Sequence, residues 1–374
     1  MRYFFIIIAL STLLVSCDQS STYQEINIGY IGPLSTRATD LGIAPSKAIQ
    51  LAVEEYNQNK TEDQPLINLF IEDDKWEKDE GIAAYRKLRD EHNVQVVFVS
   101  NSEGTVGIQE DLIKDKVICI NPLNSDELLS SLNVNTFKIA KRTEEANSLI
   151  GIRIAELDYK NVAILHFPND FMTRAANAVN RILDEYKVKN TIIPIQKGQT
   201  DYTEILQRLK NDNVDAIVFF GYKNMGHGMK QARDLGIEAP FFGSTTTLSP
   251  EFYDNSQGTI SGTEITFFTP ADGNYILASE FLEKYRQRFN ETPMSAWPPL
   301  QAYDAANMLL SQLKTINEEP VEQFDIWLRK KLHMIDYYPG VCGNLSIGPD
   351  GSANGIYFSL YRYAEKGQVI KVKR

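Results

Sequence analysis

The chain has 374 residues, which is long enough for two ordinary domains, each with a hydrophobic core of its own. Its 43% hydrophobic and 23% charged residues are typical of a globular protein and exclude disorder, collagen and coiled coil for the chain as a whole. The formal net charge of -11 at pH 7 disfavours binding to nucleic acid or to anionic lipid head groups.

The first residues have the pattern of a secretory signal. Met1-Arg2 gives a positive start, an apolar run follows over residues 4–15, and small residues precede Cys17. The run is shorter than the roughly 20 apolar residues that cross a bilayer as a permanent helix. The sequence predicts a signal peptide over residues 1–16 and a lipidated tether over 17–24, because the site resembles a bacterial lipobox. The alternative is an ordinary signal with Cys17 beside it by accident.

From residue 25 onward, short apolar runs alternate with longer amphipathic stretches, which is the pattern of βαβ units in a parallel sheet. In the first part of the chain this pattern predicts strands at 26–31, 67–71, 94–99 and 117–120 and helices at 43–57, 80–91 and 105–114. These elements predict one α/β lobe.

The alternation starts afresh after a short extended piece at 137–139. The predicted helices lie at 144–157, 174–186, 202–211 and 225–235, and the strands between them at 161–166, 191–195, 216–220 and 241–242. An extended run at 262–268, two helices at 276–289 and 299–314, and a β tail at 345–347, 356–363 and 369–372 follow. Two similar α/β lobes, with a second visit to the first, are the simplest topology.

The sequence contains no pattern that indicates catalysis. The G-x-S-x-G elbow, the phosphate-binding P-loop and the HExxH pair are missing, and Gly226-x-Gly228 lacks the third glycine of a dinucleotide fingerprint. The four His lie in different predicted elements, and the acids at 72–74 end a strand, where a solvated loop or helix cap is favoured over a metal site. We therefore predict no enzyme activity, no cofactor and no metal.

Two cysteines lie within the predicted body of the protein. Cys119 falls inside an apolar strand and Cys342 in the loop at 339–343. In an oxidising compartment the two could form a disulfide, and the alternative is a pair of buried free thiols. The sequence leaves both open, because it does not give the separation of their Cα atoms.

Several segments resemble, in order along the chain, the leucine/isoleucine/valine-type periplasmic binding proteins. They are IGYIGPLS at 28–35, AIQLAVEEYN at 48–57, EDD at 72–74, INP at 120–122, FKI at 137–139, DYTEILQRLK at 201–210, QARDLG at 231–236 and AYDAA at 302–306. The resemblance covers residues 25 to about 363. It implies a type I periplasmic binding protein fold, in which two doubly wound α/β lobes are joined by a three-crossover hinge around a ligand cleft. On that fold, lobe 1 comprises 25–139 plus 269–353, and lobe 2 comprises 140–268 plus 354–374.

The resemblance also implies a function. A membrane-anchored lipoprotein in the periplasm or at the cell surface, acting as a monomer, would capture a small polar molecule and deliver it to an ABC permease. The molecule would be an amino acid or a related carboxylate or amide. One alternative is a ligand-sensing receptor for a membrane signalling partner, and another is an enzyme on the same fold.

Ligand-binding residues follow from the family's pattern, beginning with the first lobe. Ser102 and Ser125 fall where the family holds the ligand's carboxylate, with Asn124 next to Ser125. The alternative for Ser125 is a helix cap. Leu41 and Trp297 are expected to form part of the cleft wall.

In the second lobe, Phe171 and Tyr222 match positions where the family has tyrosines that close on the ligand. Core packing is the alternative for both. Thr245 stands where the amino-acid receptors have an acid that binds the ligand's ammonium group, and a hydroxyl cannot neutralise that buried charge. Either Glu103 supplies the missing acid, or the ligand is not a typical α-amino acid, which is the interpretation we favour.

Overall fold

The structure is a computed structural model that describes residues 22–36, 38–124, 129, 132–140, 142–268, 270, 275–364 and 368–372. The predicted signal peptide, Cys17 and Ser125 lie outside the described residues. Near the end of the predicted tether, Tyr23 is already bound to the body of the protein, because its N–H donates to Asn317 Oδ1 at 2.8 Å.

The first sheet has five parallel strands in the order β2-β1-β3-β4-β5. These strands are β1 (Glu25–Gly32), β2 (Leu66–Asp73), β3 (Val96–Val99), β4 (Ile118–Asn121) and β5 (Thr136–Lys138). The helices between them are α1 (Ile43–Asn59), α2 (Lys78–His92), α3 (Ser102–Gly107) and α4 (Gln109–Asp115). This sequential βαβ pattern is the one that the first part of the chain predicts.

Both faces of the first sheet are covered by helices. Side chains alternate along each strand, so Ile28 and Tyr30 lie in the core beneath α1 while Ile31 faces α2 on the other side. Strands buried on both faces explain why the apolar runs of this part are continuous rather than alternating with polar residues.

The second sheet has seven strands in the order β15-β14-β10-β9-β8-β6-β7. They are β6 (Asn161–His166), β7 (Lys189–Pro194), β8 (Ala216–Phe220), β9 (Phe241–Gly243), β10 (Glu264–Phe268), β14 (Phe358–Tyr363) and β15 (Val369–Lys371). The accompanying helices are α5 (Thr143–Glu156), α6 (Asp170–Glu185), α7 (Thr203–Asn211), α8 (Met225–Asp234) and α9 (Pro250–Ser256). The chain therefore builds a second α/β unit, with β14 antiparallel to β10.

The chain crosses between the two units three times. It leaves the first sheet after β5, returns after β10, and crosses again between β13 (Ala353–Ile356) and β14. The returning part contains α10 (Ile276–Phe289), α11 (Trp297–Leu313), α12 (Phe324–His333), β11 (Tyr338–Pro339) and β12 (Gly343–Ile347), and α11 packs against α1. Two lobes with a second visit to the first are thus observed, while the residue bounds given above for the lobes remain a prediction.

A turn between β12 and β13 holds the first crossing. Lys138 at the end of β5 is buried, and its ammonium donates to the carbonyl oxygen of Asp350 at 2.6 Å. The Asp350 carboxylate pairs with Arg142, directly before α5, at 2.7 Å. Burial lowers the pKa of Lys138, although Asp350 works in the opposite direction. This one turn therefore binds both the last strand of the first sheet and the start of the second unit.

The helix predicted over residues 105–114 is wrong in its bounds. The structure has two short helices there, α3 and α4, which meet at Ile108. Gly104 and Gly107 weaken a continuous helix, and Ile108 is buried in the core beside α2. Burial of this one side chain therefore fixes the break.

The two cysteines in the body of the protein are free and buried. Cys119 lies in the core on the α2 side of the first sheet, and Cys342 lies in the core on the opposite side with α1 and α11. The sheet itself separates them, so the disulfide alternative does not hold in this structure. Burial raises the pKa of both thiols.

Candidate functional site

The carboxyl ends of the strands in both sheets lie towards the crossings. β5 and β10 each end where the chain crosses, and β14 begins at Phe358 beside Phe268. In open α/β sheets, ligands bind at the loops that follow the carboxyl ends of strands. Most of the predicted ligand-binding residues lie in or directly after such loops: Leu41, Ser102, Glu103, Asn124, Phe171, Tyr222 and Thr245.

Tyr30, a residue of β1, holds the loop that follows this strand in place. The buried Tyr30 hydroxyl donates to the carbonyl oxygen of Gly42 at 2.9 Å and lies 2.8 Å from Ser100 Oγ. Burial raises the pKa of Tyr30, and the Ser100 hydrogen bond only partly opposes this. Leu41 ends a short 3-10 turn in this loop and is half-buried. The anchored loop therefore holds Leu41 at the edge of the first sheet.

Two acids at the end of β2 accept hydrogen bonds from the loops beside them. The Asp73 carboxylate accepts from Leu34 N–H at 2.8 Å and from Ser35 Oγ at 2.5 Å. Burial disfavours its charged form, but these hydrogen bonds outweigh burial and hold the pKa of Asp73 below its usual range. Asp74 is fully buried and accepts from Trp76 N–H at 2.8 Å. Burial raises the pKa of Asp74 to about 6, since the Trp76 hydrogen bond only partly compensates.

Ser102, Glu103 and Asn124 lie close together at the ends of β3 and β4. Asn101 caps α3 by accepting from Glu103 N–H at 2.9 Å, so Ser102 is the first helical residue and is half-buried. The Asn124 side-chain amide donates to the carbonyl oxygen of Ser100 at 2.9 Å and ties the two loops to each other. The Glu103 side chain is exposed.

On the second sheet, Asn169 connects the two loops that carry the predicted aromatic residues. Its Oδ1 caps α6 by accepting from Met172 N–H at 2.9 Å, and its Nδ2 donates to the Tyr222 hydroxyl at 3.0 Å. The Tyr222 ring lies 5.3 Å from Phe167 in an edge-to-face contact and is 45% exposed. Phe171 is half-buried and packs against the core of the second sheet.

Thr245 begins a short 3-10 helix, Thr245–Leu248, directly after β9. The neighbouring hydroxyls are used within this helix, because Ser244 and Thr246 lie 2.9 Å apart and Thr247 donates to the carbonyl oxygen of Ser244 at 2.9 Å. Among the described residues, the Thr245 hydroxyl has no hydrogen-bond partner, and its side chain is half-buried. Its hydroxyl therefore remains available at the edge of the sheet.

The predicted residues thus fall into two groups, one at the carboxyl edge of each sheet. Trp297 opens α11 and packs, half-buried, against the core of the first lobe. The hydrogen bonds described for Asn124, Tyr222 and the neighbours of Thr245 all stay within one group. A molecule between the lobes, or closure of the lobes, would bring the two groups together.

Comparison with known proteins decides the family. The family model of the periplasmic binding proteins matches residues 25–367, which is nearly the whole body of the chain. The chain belongs to the periplasmic binding protein family. It is similar to the Leu/Ile/Val-binding protein BraC3 of Rhizobium johnstonii, at 23% identity over 357 residues that cover 93% of this chain and 94% of BraC3.

Two solved structures of periplasmic binding proteins share the fold. LivJ, a branched-chain amino acid transporter substrate binding protein from Streptococcus pneumoniae, was solved in complex with isoleucine. It is 24% identical with a TM-score of 0.66 and covers 93% of this chain and 100% of its own. A solute binding protein of an ABC transporter from R. palustris, in complex with benzoate, is 13% identical with a TM-score of 0.66. That match covers 93% of this chain and 95% of the R. palustris chain.

These matches confirm the predicted type I periplasmic binding protein fold and the resemblance to the leucine/isoleucine/valine type. As a periplasmic binding protein, the chain is a solute-binding protein and not an enzyme. The family, described as periplasmic, places it outside the cytoplasm.

The sequence prediction omits one residue that organises the site of this periplasmic binding protein. Asn169 is a residue type that often caps helices, but the sequence predicts the helix only from residue 174, whereas the observed α6 begins at Asp170. The hydrogen bond to Tyr222 leaves no local signal either, because Tyr222 is 53 residues away in sequence.

Neither a metal centre nor a membrane span is found in the described residues. No group of three or more His, Cys, Asp or Glu in these ranges could hold a metal ion. No described helix is both long and apolar enough to cross a bilayer.

Proposed function

We propose that this protein is a lipid-anchored receptor that captures a small carboxylate between its two lobes and delivers it to an ABC importer. The observation that carries the proposal is that the carboxyl edges of the two sheets present different kinds of side chain. Hydroxyl and amide groups lie at the carboxyl edge of the first sheet, and aromatic side chains lie at that of the second. Such a pair suits a ligand that is bound by its polar end in one lobe and covered by the other.

The first lobe binds the carboxylate in this proposal. Ser102 stands at the start of α3, where its hydroxyl and neighbouring N–H groups can donate to an anion, and Ser125 follows Asn124 in the adjacent loop. Hydrogen bonds to a charged acceptor are stronger than those between neutral groups. The link from Asn124 to the carbonyl oxygen of Ser100 fixes the spacing of the two loops before the ligand arrives.

The second lobe covers the ligand with Tyr222 and Phe171. Because the Tyr222 hydroxyl accepts its hydrogen bond from Asn169, its own hydrogen remains available to donate to a ligand. Its 45% exposure leaves ring surface to be covered on closure. Tyrosine supplies such contact area with few rotatable bonds to immobilise.

The distribution of acids supports a ligand without an ammonium group. Asp73 is committed to the loop after β1, Asp74 is fully buried, and Glu144 of the second lobe pairs with Arg174 at 3.2 Å. Thr245 offers only a hydroxyl. Among the described acids of this edge, Asp40 in the loop after β1 and Glu103 remain, and the exposed side chain of Glu103 would have to turn inwards to bind a cation. Leaving a desolvated ammonium unpaired costs several kcal/mol.

A thermal-shift screen of the mature protein tests the proposal. A ligand that binds only the folded state stabilises it by about 2.7 kcal/mol at a concentration 100 times its Kd. We expect aliphatic or aromatic monocarboxylates to raise the melting temperature. A screen of carboxylates, amides and L-amino acids in which no compound raises it would contradict solute capture.

Delivery is tested separately, by uptake of the bound compound in cells with and without this protein. Loss of uptake in the deletion strain supports delivery to an importer. Unchanged uptake by that strain would contradict delivery and favour the sensing alternative.

A further inference from the structure

The second lobe contains a small pocket beside Tyr222. It lies between the loops that follow β6, β7 and β8, and its volume is about 140 Å³. Its lining is formed by Phe167, Ile195, Gln196, Gly198, Gln199, Tyr222, Lys223, Asn224 and Met225. None of the predicted ligand-binding residues other than Tyr222 belongs to this lining.

The walls of this pocket are mainly apolar. Ile195 and Met225 are buried members of the second lobe's core, and the partly buried Phe167 packs against that core. A Cβ on Gly221 would lie 2.2 Å from Met225 Sδ, so the Met225 side chain would have to move if Gly221 were replaced. The edge-to-face contact between Phe167 and Tyr222 closes one side.

Two polar side chains of the lining, Gln199 and Tyr222, form hydrogen bonds within the protein. The Gln199 side chain accepts from Gln196 N–H at 2.8 Å and donates to the carbonyl oxygen of Asp201 at 2.9 Å. The Tyr222 hydroxyl accepts from Asn169. Most of the surface inside the pocket is nevertheless apolar, so an apolar occupant is favoured there.

We propose that this pocket receives a ring-sized apolar group of the bound solute, so that the receptor prefers carboxylates that carry an aromatic ring or a comparable branched group. An apolar cavity of roughly 150 Å³ lined by Leu, Ile and Phe holds benzene, so the volume here suits one ring. The inference rests on the proposed function, because Tyr222 belongs both to the predicted ligand site and to the pocket wall.

The pocket can be probed without knowing the natural ligand. The probe is 4-fluorobenzyl alcohol, added to protein labelled with ¹³C at the methionine methyl groups. An aromatic ring in the pocket shifts the Met225 methyl resonance, which is assigned by its loss in Met225→Leu. Met308, buried in the core of the first lobe, serves as the internal reference.

A filling variant and a matched control decide the assignment. Asn224→Trp places a bulky ring in the lining, directly before α8, whereas Lys230→Trp puts the same residue on α8 itself, outside the lining. We expect the probe to shift Met225 and not Met308, and its Kd to rise at least tenfold in Asn224→Trp and to stay unchanged in Lys230→Trp. A Met225 resonance that does not move, or equal affinities in the two variants, would overturn the proposal.

Solute binding then separates this inference from the proposed function. If benzoate binds the wild type at least tenfold more tightly than acetate and Asn224→Trp abolishes that preference, the pocket sets the ligand class. If both acids bind with a ratio that the variant leaves unchanged, the pocket inference fails while solute capture stands. If neither acid nor any other solute binds, the proposed function fails, whatever the probe does at Met225.

Discussion

Asp304 lies fully inside the first lobe, in the segment AYDAA whose family resemblance was stated above. Its two carboxylate oxygens accept from Val341 N–H at 2.8 Å and from Cys342 N–H at 2.7 Å, which anchors the loop before β12. Burial raises the pKa of Asp304 to about 7, since these hydrogen bonds only partly offset the loss of hydration. The folded protein therefore favours the protonated acid at this residue.

A pH dependence of stability follows from this pKa. Because the folded-state pKa lies above the unfolded value near 3.8, the contribution of Asp304 is complete below about pH 4 and is lost as the pH rises through 7. The loss amounts to at most about 4 kcal/mol. We expect the difference in free energy of unfolding between the wild type and Asp304→Asn to become smaller as the pH rises from 4 to 8. Urea unfolding at several pH values measures this difference. A constant difference would contradict the assigned pKa.

The serines of the first lobe give a second test at this scale. Replacing Ser102 and Ser125 by Ala together should weaken binding of a carboxylate ligand at least about tenfold, the equivalent of one hydrogen bond to a charged group. Ser261→Ala, an exposed serine before β10, is the matched control and should leave the Kd unchanged. Titration calorimetry measures both, and equal affinities of the double variant and the wild type would remove the two serines from the site.

Single residues also show how far the sequence could predict the site. Ser102 and Tyr222 follow apolar runs, so their place at strand ends could be predicted from local pattern. The burial of Asp74 and the bond from Asn169 to Tyr222 could not, because both depend on loops from separate strands coming together.

Among the elements, the start of α1 depends on one glycine. A Cβ on Gly42 would lie 1.9 Å from the carbonyl oxygen of Pro33, and the Gly42 carbonyl also accepts the Tyr30 hydroxyl. We expect Gly42→Ala to lower the free energy of unfolding by about 1–3 kcal/mol through this overlap.

Gly104→Ala is the control for this substitution. Its Cβ would meet only ordinary contacts of 3.6–3.9 Å in α3, so it should be neutral or slightly stabilising. Equal effects of the two changes in urea unfolding would show that the approach of Pro33 to Gly42 is not the constraint.

The long alternation of strands and helices could be predicted because each element carries its own apolar period. The short helices α9 and α12 could not be predicted in this way. The run predicted as one strand over 356–363 is divided at Tyr357 in the structure. β13 pairs with β12 while β14 pairs with β10, so pairing with different sheets, rather than local preference, ends the strand there.

For the whole molecule, the structure gives a mechanical basis for capture. Three crossings join the lobes, and the first is held by Lys138, Arg142 and the turn at Asp350. The two groups of predicted ligand-binding residues lie at the edges towards these crossings. A solute that binds both groups would favour the closed arrangement by its differential affinity for it.

The most direct test of this account is a calorimetric titration with L-leucine and with 4-methylpentanoate, which is leucine without its amino group. We predict that 4-methylpentanoate binds at least as tightly as L-leucine, because the proposed site binds the carboxylate in the first lobe and has Thr245 in place of an acid. Micromolar or tighter binding of L-leucine, retained in Glu103→Gln and with no measurable binding of 4-methylpentanoate, would contradict it.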